Sequence, residues 1–256
     1  MYKDINTYTS QGIPFLFYTD FKGEKIHAYP LRELSSEDIE YSFNSSSTSQ
    51  ATPLEKLPEP LPHYQKQFQQ VINKIRSGDT YLLNLTQKTK IKTPLTLKEI
   101  FSKAHAPFKL RVRDEFVCFS PEPFIKIEGN TISTYPMKGT IDASIKNAEA
   151  KILADQKELA EHIMIVDLLR NDLGIVAKNI HVEKFRYVNK IRAGEKELLQ
   201  VSSKISGTLP RNWRENFGTI LKKLLPAGSI SGTPKKSMVH LIESIEDYTR
   251  NYFSGI

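Results

Sequence analysis

The sequence has a single cysteine and no long run of apolar residues. Cys118 cannot form an internal disulfide, and its place between Val117 and Phe119 predicts a buried thiol in a strand rather than a nucleophile. No apolar run approaches the roughly 20 residues that a membrane-spanning helix needs. The residues after Met1 lack the charged and then apolar pattern of a secretory signal. We therefore expect a cytoplasmic protein.

Acidic residues are outnumbered by basic ones, 29 against 36, which gives a formal net charge of +7. Such a charge favours anionic partners, which include nucleic acid, acidic protein surfaces and small carboxylated substrates. The basic residues are spread over the whole chain rather than clustered with aromatic residues, which argues against nucleic acid. With 256 residues, of which 39% are hydrophobic and 25% charged, the composition is that of a soluble globular protein, and we expect one domain.

Short alternating runs separated by turn residues predict antiparallel strands. A hairpin is predicted over residues 14–29, a Ser/Pro-rich loop over 35–62, a helix from about His63 and another over 213–224. Further strands are predicted over residues 81–86, 109–113, 116–120, 124–128, 131–135, 180–188 and 198–205, and a tight turn over 136–140. We expect residues 1–62 to be the N-terminal part of a domain whose catalytic part is residues 63–256.

The stretch from Glu158 to Gly174 predicts an amphipathic helix. Its apolar residues recur at helical spacing, and Gly174 stands where a left-handed cap would end the helix. Glu158 and Glu161 lie one turn apart and off the apolar stripe, with His162 one turn from Glu158. Two carboxylates on a rigid element can hold Mg²⁺ through oxygen ligands. The alternative is a solvated acidic face balanced by neighbouring lysines.

A second candidate site is the run of small residues from Gly228 to Gly232, which precedes another predicted helix. Thr233 suits the N-cap of that helix, and Pro234 suits its first position. The free backbone N–H groups at a helix start can bind an anion. The alternative is a structural turn with a good cap.

Five motifs in this chain together resemble the chorismate-utilising enzymes, in particular component I of aminodeoxychorismate synthases, in the para-aminobenzoate branch of folate synthesis. The motifs are Ser77-Gly78-Asp79 with Asn84-Leu85-Thr86, Ser120-Pro121-Glu122, Pro136-Met137-Lys138-Gly139-Thr140, Glu158 through Gly174, and Gly228 through Lys235. The resemblance runs from about His63 to the end of the chain. It implies an α+β fold of antiparallel sheets flanked by helices. It also implies Mg²⁺ as cofactor, chorismate and ammonia as substrates, and a glutamine amidotransferase subunit as partner.

The resemblance also assigns roles to single residues. Glu161 is similar to the family's metal ligand, and Glu158 to its supporting carboxylate. Lys138 stands where aminodeoxychorismate synthases carry lysine and anthranilate synthases carry alanine. This implies that Lys138 attacks C2 of chorismate and expels the C4 hydroxyl, after which ammonia displaces the lysine by a second allylic shift. The other implied positions are Thr140 and Gln200 in catalysis, and Gly228, Ser229, Ile230, Ser231, Gly232 and Tyr252 in substrate binding.

Other activities are alternatives to this reading. The nearest is anthranilate synthase component I. Isochorismate and salicylate synthases place a water-activating lysine where this chain has Leu82. From another class, the chain could be an inactive chorismate-binding or regulatory relative. No Gly-x-Ser-x-Gly motif and no catalytic Cys/His set is evident, which agrees with ammonia being made by a partner.

Two features depart from the family pattern. Many relatives carry histidine where this chain has Gln200, which can hydrogen-bond the leaving hydroxyl but is a poor general acid. The family also continues beyond Ile256 with further strands, a Gly-rich loop and a second metal-binding glutamate. The run from Arg250 to Ile256 alternates like a strand, which would leave an exposed sheet edge. We therefore expect these 256 residues to be a fragment with negligible turnover.

Overall fold

The computed structural model describes residues 1–43, 54–120, 122–193, 196–254 and 256. The helices are α1 (Tyr2–Ser10), α2 (Leu61–Arg76), α3 (Leu97–Lys103), α4 (Ala148–Ala154), α5 (Gln156–Gly174), α6 (Phe217–Leu224), α7 (Gly228–Ser231) and α8 (Lys235–Ile245). The strands are β1 (Phe15–Thr19), β2 (Ile26–Pro30), β3 (Ile39–Phe43), β4 (Glu55–Pro58), β5 (Leu82–Leu83), β6 (Thr89–Lys92), β7 (Phe108–Val112), β8 (Phe116–Ser120), β9 (Lys126–Glu128), β10 (Thr131–Thr134), β11 (Met137–Asp142), β12 (Lys178–Ala193), β13 (Lys196–Thr208) and β14 (Gly232–Thr233). The expected α+β class with antiparallel sheets is confirmed.

The chain forms two compact units, each assembled from three segments. Among the described residues, unit 1 contains 1–16, 28–43 and 95–224, and unit 2 contains the remainder, 17–27, 54–94 and 225–256. Both strands of the predicted N-terminal hairpin, β1 and β2, form as a two-stranded sheet.

Strand β13 is the centre of the larger sheet of unit 1. One edge of β13 pairs with β11 along residues 198–202 and with β10 along residues 205–208. The other edge pairs with β12. Val201 and Ile205 are fully buried, and because alternate residues of a strand share a face, they lie on one side of the sheet. Helix α5 packs against β11, β12 and β13.

Helix α5 confirms the helix predicted from Glu158 to Gly174 and begins two residues earlier. Leu169 and Leu173 are buried as the spacing predicts, whereas Ile163 is half exposed. The predicted left-handed cap at Gly174 is wrong, because Gly174 is the last helical residue and the next residue keeps a right-handed conformation. The helix therefore ends by ordinary hydrogen bonds to its last carbonyl groups.

The predicted meander over residues 109–135 is divided between two sheets. Strands β7 and β8 join β3 in a three-stranded antiparallel sheet, whereas β9 and β10 join the sheet around β13. The loop predicted over residues 35–62 is wrong where it contains β3 and β4; its Ser-rich part from Ser45 to Ser49 lies outside the described residues. Strand β4 and its partner β6 are exposed along their whole length. No apolar alternation marks them, so only the pairing defines them.

Unit 2 contains α2, α7 and α8 together with the pairs β4–β6 and β5–β14. Helix α2 confirms the prediction from His63, and it starts at Leu61 behind an N-cap at Pro60. The strand predicted over residues 81–86 is reduced to the two residues of β5. The strand predicted from Arg250 is wrong, because residues 251–254 form turns and Asn251 has a φ of 45°. No described helix has the length and apolar character to cross a membrane.

Candidate active site

Helix α5 carries the two glutamates singled out in the sequence. The Asp155 carboxylate accepts a hydrogen bond from the backbone N–H of Glu158 at 3.0 Å and so caps the helix start. Further along, Val166 and Leu169 are buried and anchor the helix in unit 1. Glu158 and Glu161 therefore project from the first two turns of a rigid element.

Residues 137–142 form strand β11, so the tight turn predicted over residues 136–140 is wrong. The pairing with β13 shifts between Met137 and Thr140, so that Lys138 and Gly139 together oppose the single residue Val201. This is a β-bulge. Gly139 allows the bulge to form because its φ is 96°, a conformation that residues with a side chain rarely adopt. A bulge re-aims side chains, and here it directs Lys138 toward α5.

Lys138 and Glu161 form an ion pair across the bulge. The Lys138 Nζ atom lies 2.9 Å from Glu161 Oε2, and the Nζ atom of Lys157 lies 3.6 Å from Glu161 Oε1. The Lys138 side chain is 46% exposed and that of Glu161 is 29% exposed. The hydrogen bond from Lys138 is the main cause that lowers the pKa of the Glu161 carboxyl group. The pair is therefore an ammonium group and a carboxylate at a solvent-accessible position.

Glu158 lines the same bulge. A Cβ atom added at Gly139 would lie 3.3 Å from Glu158 Oε2 and 3.5 Å from Ile152 Cδ1. Glu158 and Glu161 thus both face β11. Within the described part of the chain, no group of three or more His, Cys, Asp or Glu side chains could hold a metal ion. Two carboxylates still fit Mg²⁺, which keeps several waters and takes one or two protein carboxylates together with groups from the substrate.

His162, to which the sequence assigned no role, is fully buried in this cluster. Its Nε2 atom lies 2.7 Å from Ser203 Oγ, and its Nδ1 atom lies 3.2 Å from the carbonyl oxygen of Lys138. Burial is the main cause that lowers the pKa of His162. One sequence signal indicates its burial, because His162 precedes Val166 by four residues and so shares the face of α5 that packs inward.

Thr140 and Gln200 are brought together as direct partners in β11 and β13. Because neighbouring residues of a strand point to opposite faces, Gln200 lies on the face opposite Val201 and Ser203. Among the described residues, the Gln200 Oε1 atom is buried without a hydrogen-bond partner. A buried oxygen of this kind has unused capacity to accept a hydrogen bond. Thr140 and Gln200 therefore form a second polar position of the same sheet.

The run from Gly228 to Gly232 is not the loop that the sequence predicted. Residues Gly228–Ser231 form the short helix α7, and Gly232 begins β14, whose backbone pairs with β5. The predicted N-cap at Thr233 is wrong, because Pro234 occupies the N-cap of α8. Ser231 is buried, and its hydroxyl donates to the carbonyl oxygen of Ala227 at 3.0 Å. The Ser231 hydroxyl is therefore engaged within the fold.

The backbone of α7 is tied down by a buried arginine of unit 2. Arg250 donates from Nη1 to the carbonyl oxygen of Ile230 at 2.7 Å and from Nη2 to that of Asn84 at 2.5 Å. Its Nε atom also donates to Glu246 Oε2 at 2.8 Å, and this pair is almost completely buried. Glu246 in turn accepts the backbone N–H of Thr86 at 2.9 Å. The Asn84-Leu85-Thr86 motif is thus joined to α7 through two charged side chains.

Tyr252, a predicted substrate-binding residue, lies in unit 2. Its hydroxyl is 3.1 Å from the Nε2 atom of His27, and its ring meets Tyr18 edge to face. Tyr252 also lines a cavity of about 510 Å³, together with residues of the segments 20–25 and 242–251. The hydroxyl is therefore engaged by His27 at the border of an open cavity.

The comparisons with known proteins agree on one family. The family model described as chorismate binding enzyme matches residues 16–256. An uncharacterised PabA-like protein of Haemophilus influenzae is 45% identical over 257 residues, which cover 98% of this chain and 78% of that protein. Aminodeoxychorismate synthase component 1 of Salmonella typhimurium is 33% identical, with 75% of this chain and 44% of that protein covered.

Two further similarities concern other activities. Anthranilate synthase component 1 of Saccharolobus solfataricus is 34% identical over 143 residues, covering 53% of this chain and 32% of that protein. Among solved structures, a 2,3-dihydroxybenzoate-specific isochorismate synthase, DhbC, of Bacillus anthracis superposes with a TM-score of 0.70 at 19% identity, covering 98% of this chain and 71% of that one. At this identity the structural likeness supports the fold alone.

Proposed function

This chain belongs to the chorismate-binding enzyme family, and from that premise we propose that it aminates chorismate at C4 to give 4-amino-4-deoxychorismate. The observation that carries the proposal is the position of Lys138, which a β-bulge directs toward Glu161 of α5. A lysine nucleophile beside a metal-binding carboxylate is the arrangement that the proposed reaction needs. The ammonia would come from a glutamine amidotransferase subunit.

The proposed reaction proceeds by two allylic displacements. The neutral Nζ atom of Lys138 forms a bond to C2 of chorismate, the two conjugated ring double bonds move from C1–C2 and C5–C6 to C1–C6 and C4–C5, and the C4–O bond breaks. The hydroxyl leaves as water, with the proton that the lysine nitrogen loses. Ammonia then forms a bond to C4, the two double bonds return to their first positions, and the C2–N bond to Lys138 breaks. The proton that the new amino group loses passes to the departing lysine nitrogen. The net change is replacement of the C4 hydroxyl by an amino group, with no oxidation or reduction.

Glu158 and Glu161 are proposed to bind the metal. A bound Mg²⁺ ion supplies positive charge that stabilises negative charge on the ring carboxylate of chorismate. Within the chain itself, the Nζ atom of Lys138 is engaged by Oε2 of Glu161. The pair must therefore open before Lys138 can attack carbon.

The second candidate is the anthranilate synthase reaction, in which ammonia adds at C2. The similarity to anthranilate synthase component 1 supports this reaction. Lys138 opposes it, because the resemblance implies that anthranilate synthases carry alanine at this position. The two reactions give different products from the same substrates. Product identity therefore separates them.

The test is an assay with chorismate, an ammonium salt and Mg²⁺, with products identified by liquid chromatography and mass spectrometry. We expect 4-amino-4-deoxychorismate from the parent chain, extended by its natural C-terminal sequence if the gene continues, and greatly reduced amounts from Lys138→Ala. Lys157→Ala is the matched control, because Lys157 also reaches Glu161 but lies on α5 itself. C4 amination by Lys138→Ala at the parental rate would refute the nucleophile assignment, and anthranilate as the parental product would favour the second candidate.

A further inference from the structure

The imidazole ring of His162 joins α5 to the backbone of the residue proposed as nucleophile. The ring is fully buried, and both of its nitrogen atoms have polar neighbours within hydrogen-bond distance. A buried ring with both nitrogens engaged has a defined orientation, because rotating it would leave buried polar groups without partners.

The neighbours of His162 determine which nitrogen carries the hydrogen. The carbonyl oxygen of Lys138 can only accept, so Nδ1 must be the protonated nitrogen that donates to it. Nε2 then accepts from the hydroxyl of Ser203. The Ser203 Oγ atom in turn accepts the backbone N–H of Arg186 at 3.0 Å. The result is a chain of donors from Arg186 through Ser203 and His162 to the Lys138 carbonyl group.

Two β-bulges meet at this ring. On one side of β13 is the bulge of Lys138 and Gly139. On the other side, the pairing of β12 shifts between Lys184 and Tyr187, so that Phe185 and Arg186 together oppose Ser203. The Phe185 ring packs on His162 at 5.7 Å between ring centroids, nearly perpendicular to it. His162 therefore contacts the bulged part of both neighbouring strands.

The second bulge is itself held from outside the sheet. The Arg186 guanidinium group donates to the carbonyl oxygens of Ile152 and Leu153 at the end of α4, at 3.0 and 2.9 Å. Arg186 keeps a φ of 50°, in the left-handed region, and so is a strained residue unless its surroundings hold it. The contacts of Arg186 with α4 and Ser203 fix the position of the Ser203 hydroxyl that orients His162.

We propose that His162 is a positioning residue, whose Nδ1–H group holds the Lys138 carbonyl oxygen and thereby sets where the Lys138 side chain meets Glu161. The catalytic consequence rests on the proposed function, whereas the positioning itself does not. His162 has no contact with the reacting atoms in this role. It acts only through the backbone of the bulge.

Two substitutions separate the two ends of the ring. His162→Asn keeps a donor close to the place of Nδ1, whereas His162→Gln extends its amide toward the place of Nε2 and leaves the Lys138 carbonyl group unpaired. In crystal structures of the variants, we expect the distance from Lys138 Nζ to Glu161 Oε2 to remain near 2.9 Å in the Asn variant and to lengthen in the Gln variant. This measurement requires no chorismate.

Kinetic measurements give the second readout. A displaced reacting group costs rate rather than affinity, so His162→Gln should lower kcat about 10- to 100-fold with little change in KM. His162→Asn should recover most of that loss. Ser203→Ala keeps His162 but removes the hydroxyl group that donates to its Nε2 atom. This substitution should lower kcat less than His162→Gln does.

The proposal is overturned if the Gln variant keeps both the Lys138–Glu161 distance and kcat, or if the Asn variant loses both equally. The wild-type protein offers a test that needs no substitution. A long-range ¹H–¹⁵N NMR spectrum of histidine-labelled protein should show His162 protonated at Nδ1, and protonation at Nε2 alone would refute the donor assignment. If the parent chain makes no 4-amino-4-deoxychorismate, the proposed function fails while the structural and NMR measurements still decide the positioning role.

Discussion

The contact that Lys138 makes in the structure differs from the one that its proposed role as nucleophile requires. Its Nζ atom is 2.9 Å from the Glu161 carboxylate, and this contact lowers the pKa of the Glu161 carboxyl group. Attack on carbon needs the neutral amine. A cation bound by Glu161 would compete with Lys138 for the same carboxylate oxygen. The proposed metal-binding role of Glu161 therefore requires that the cation replace Lys138 at this carboxylate.

The first prediction concerns Glu161→Gln. The substitution removes the negative charge proposed to hold Mg²⁺, so chorismate binding should become less dependent on Mg²⁺. The melting temperature should change little, because a partly exposed ion pair contributes at most about 1 kcal/mol to stability. Calorimetric titration with chorismate, with and without Mg²⁺, measures the effect. The control is Glu149→Gln, at an exposed position of α4, and an unchanged Mg²⁺ dependence in Glu161→Gln would exclude the metal role.

The second prediction concerns the pH dependence caused by Glu122. Burial raises the pKa of this carboxyl group from 4.5 to about 7. Between those two values the folded protein holds a proton that the unfolded chain releases. The free energy of unfolding should therefore fall as the pH rises from 4.5 to 7, by up to roughly 3 kcal/mol.

Glu122→Gln should remove this fall, because glutamine does not titrate. Urea unfolding at pH values below and above the window measures it. Glu115→Gln, at an exposed position after β7, is the control and should keep the parental pH dependence. A parental protein whose stability is flat across the window would show that Glu122 is ionised in the folded state.

At the scale of elements, the bulge in β11 decides which way Lys138 points. In a regular strand, Lys138 and Thr140 would share a face, whereas the extra residue places Lys138 toward α5 while Thr140 stays paired with Gln200. Gly139 permits this through its φ of 96°. The bulge is thus an element-level feature with a direct effect on the candidate site.

The third prediction is that Gly139→Ala destabilises the protein by about 1–2 kcal/mol, the cost of a left-handed conformation for a residue with a side chain. The new methyl group would also press on Glu158 Oε2 at 3.3 Å, so C4 amination should fall as well. Urea unfolding and the chorismate assay measure the two effects. Gly129→Ala is the matched control, since Gly129 has a φ of 61° and nothing within 4 Å of the added atom. A loss of activity in both variants alike would mean that strain in general, rather than the bulge, is responsible.

At the scale of the whole molecule, the single cysteine supports the proposal that a partner subunit, and not this chain, produces the ammonia. Glutaminases of the Cys/His type need a cysteine that forms a thiolate easily. Cys118 is the one cysteine of the chain, and burial raises the pKa of its thiol, which opposes thiolate formation. The chain is thus poorly suited to release ammonia from glutamine, in agreement with the proposed amidotransferase partner.

The fourth prediction is that ammonium salts support the proposed amination and that glutamine does so only after an amidotransferase subunit is added. Cys118→Ser should leave the ammonium-dependent rate near the parental value. The measurement is product formation from chorismate with each nitrogen source in turn. Glutamine-dependent amination by the purified chain alone, abolished by Cys118→Ser, would contradict the assignment of ammonia production to a partner.

Much of the fold and part of the site follow from local sequence. The helix α5, its two carboxylates, and the strands β7, β8, β10, β12 and β13 were predicted from periodicity and turn residues. The exposed pair β4–β6 and the edge strand β3 were not, because their stability comes from partners distant in the chain. The segment from Pro136 was predicted as a turn, since a proline and a glycine close together signal a turn and a bulge equally well.

The sequence by itself determined the α+β class, the helix that carries Glu158 and Glu161, and the motif order that identifies the family, since these depend on residues close together in the chain. Only the tertiary structure decided that Lys138 meets Glu161 and that His162 holds the Lys138 backbone. Those contacts join β11 to α5 and depend on the register of β11 against β13. Strand register is set by long-range pairing and packing, which no local pattern of residues specifies.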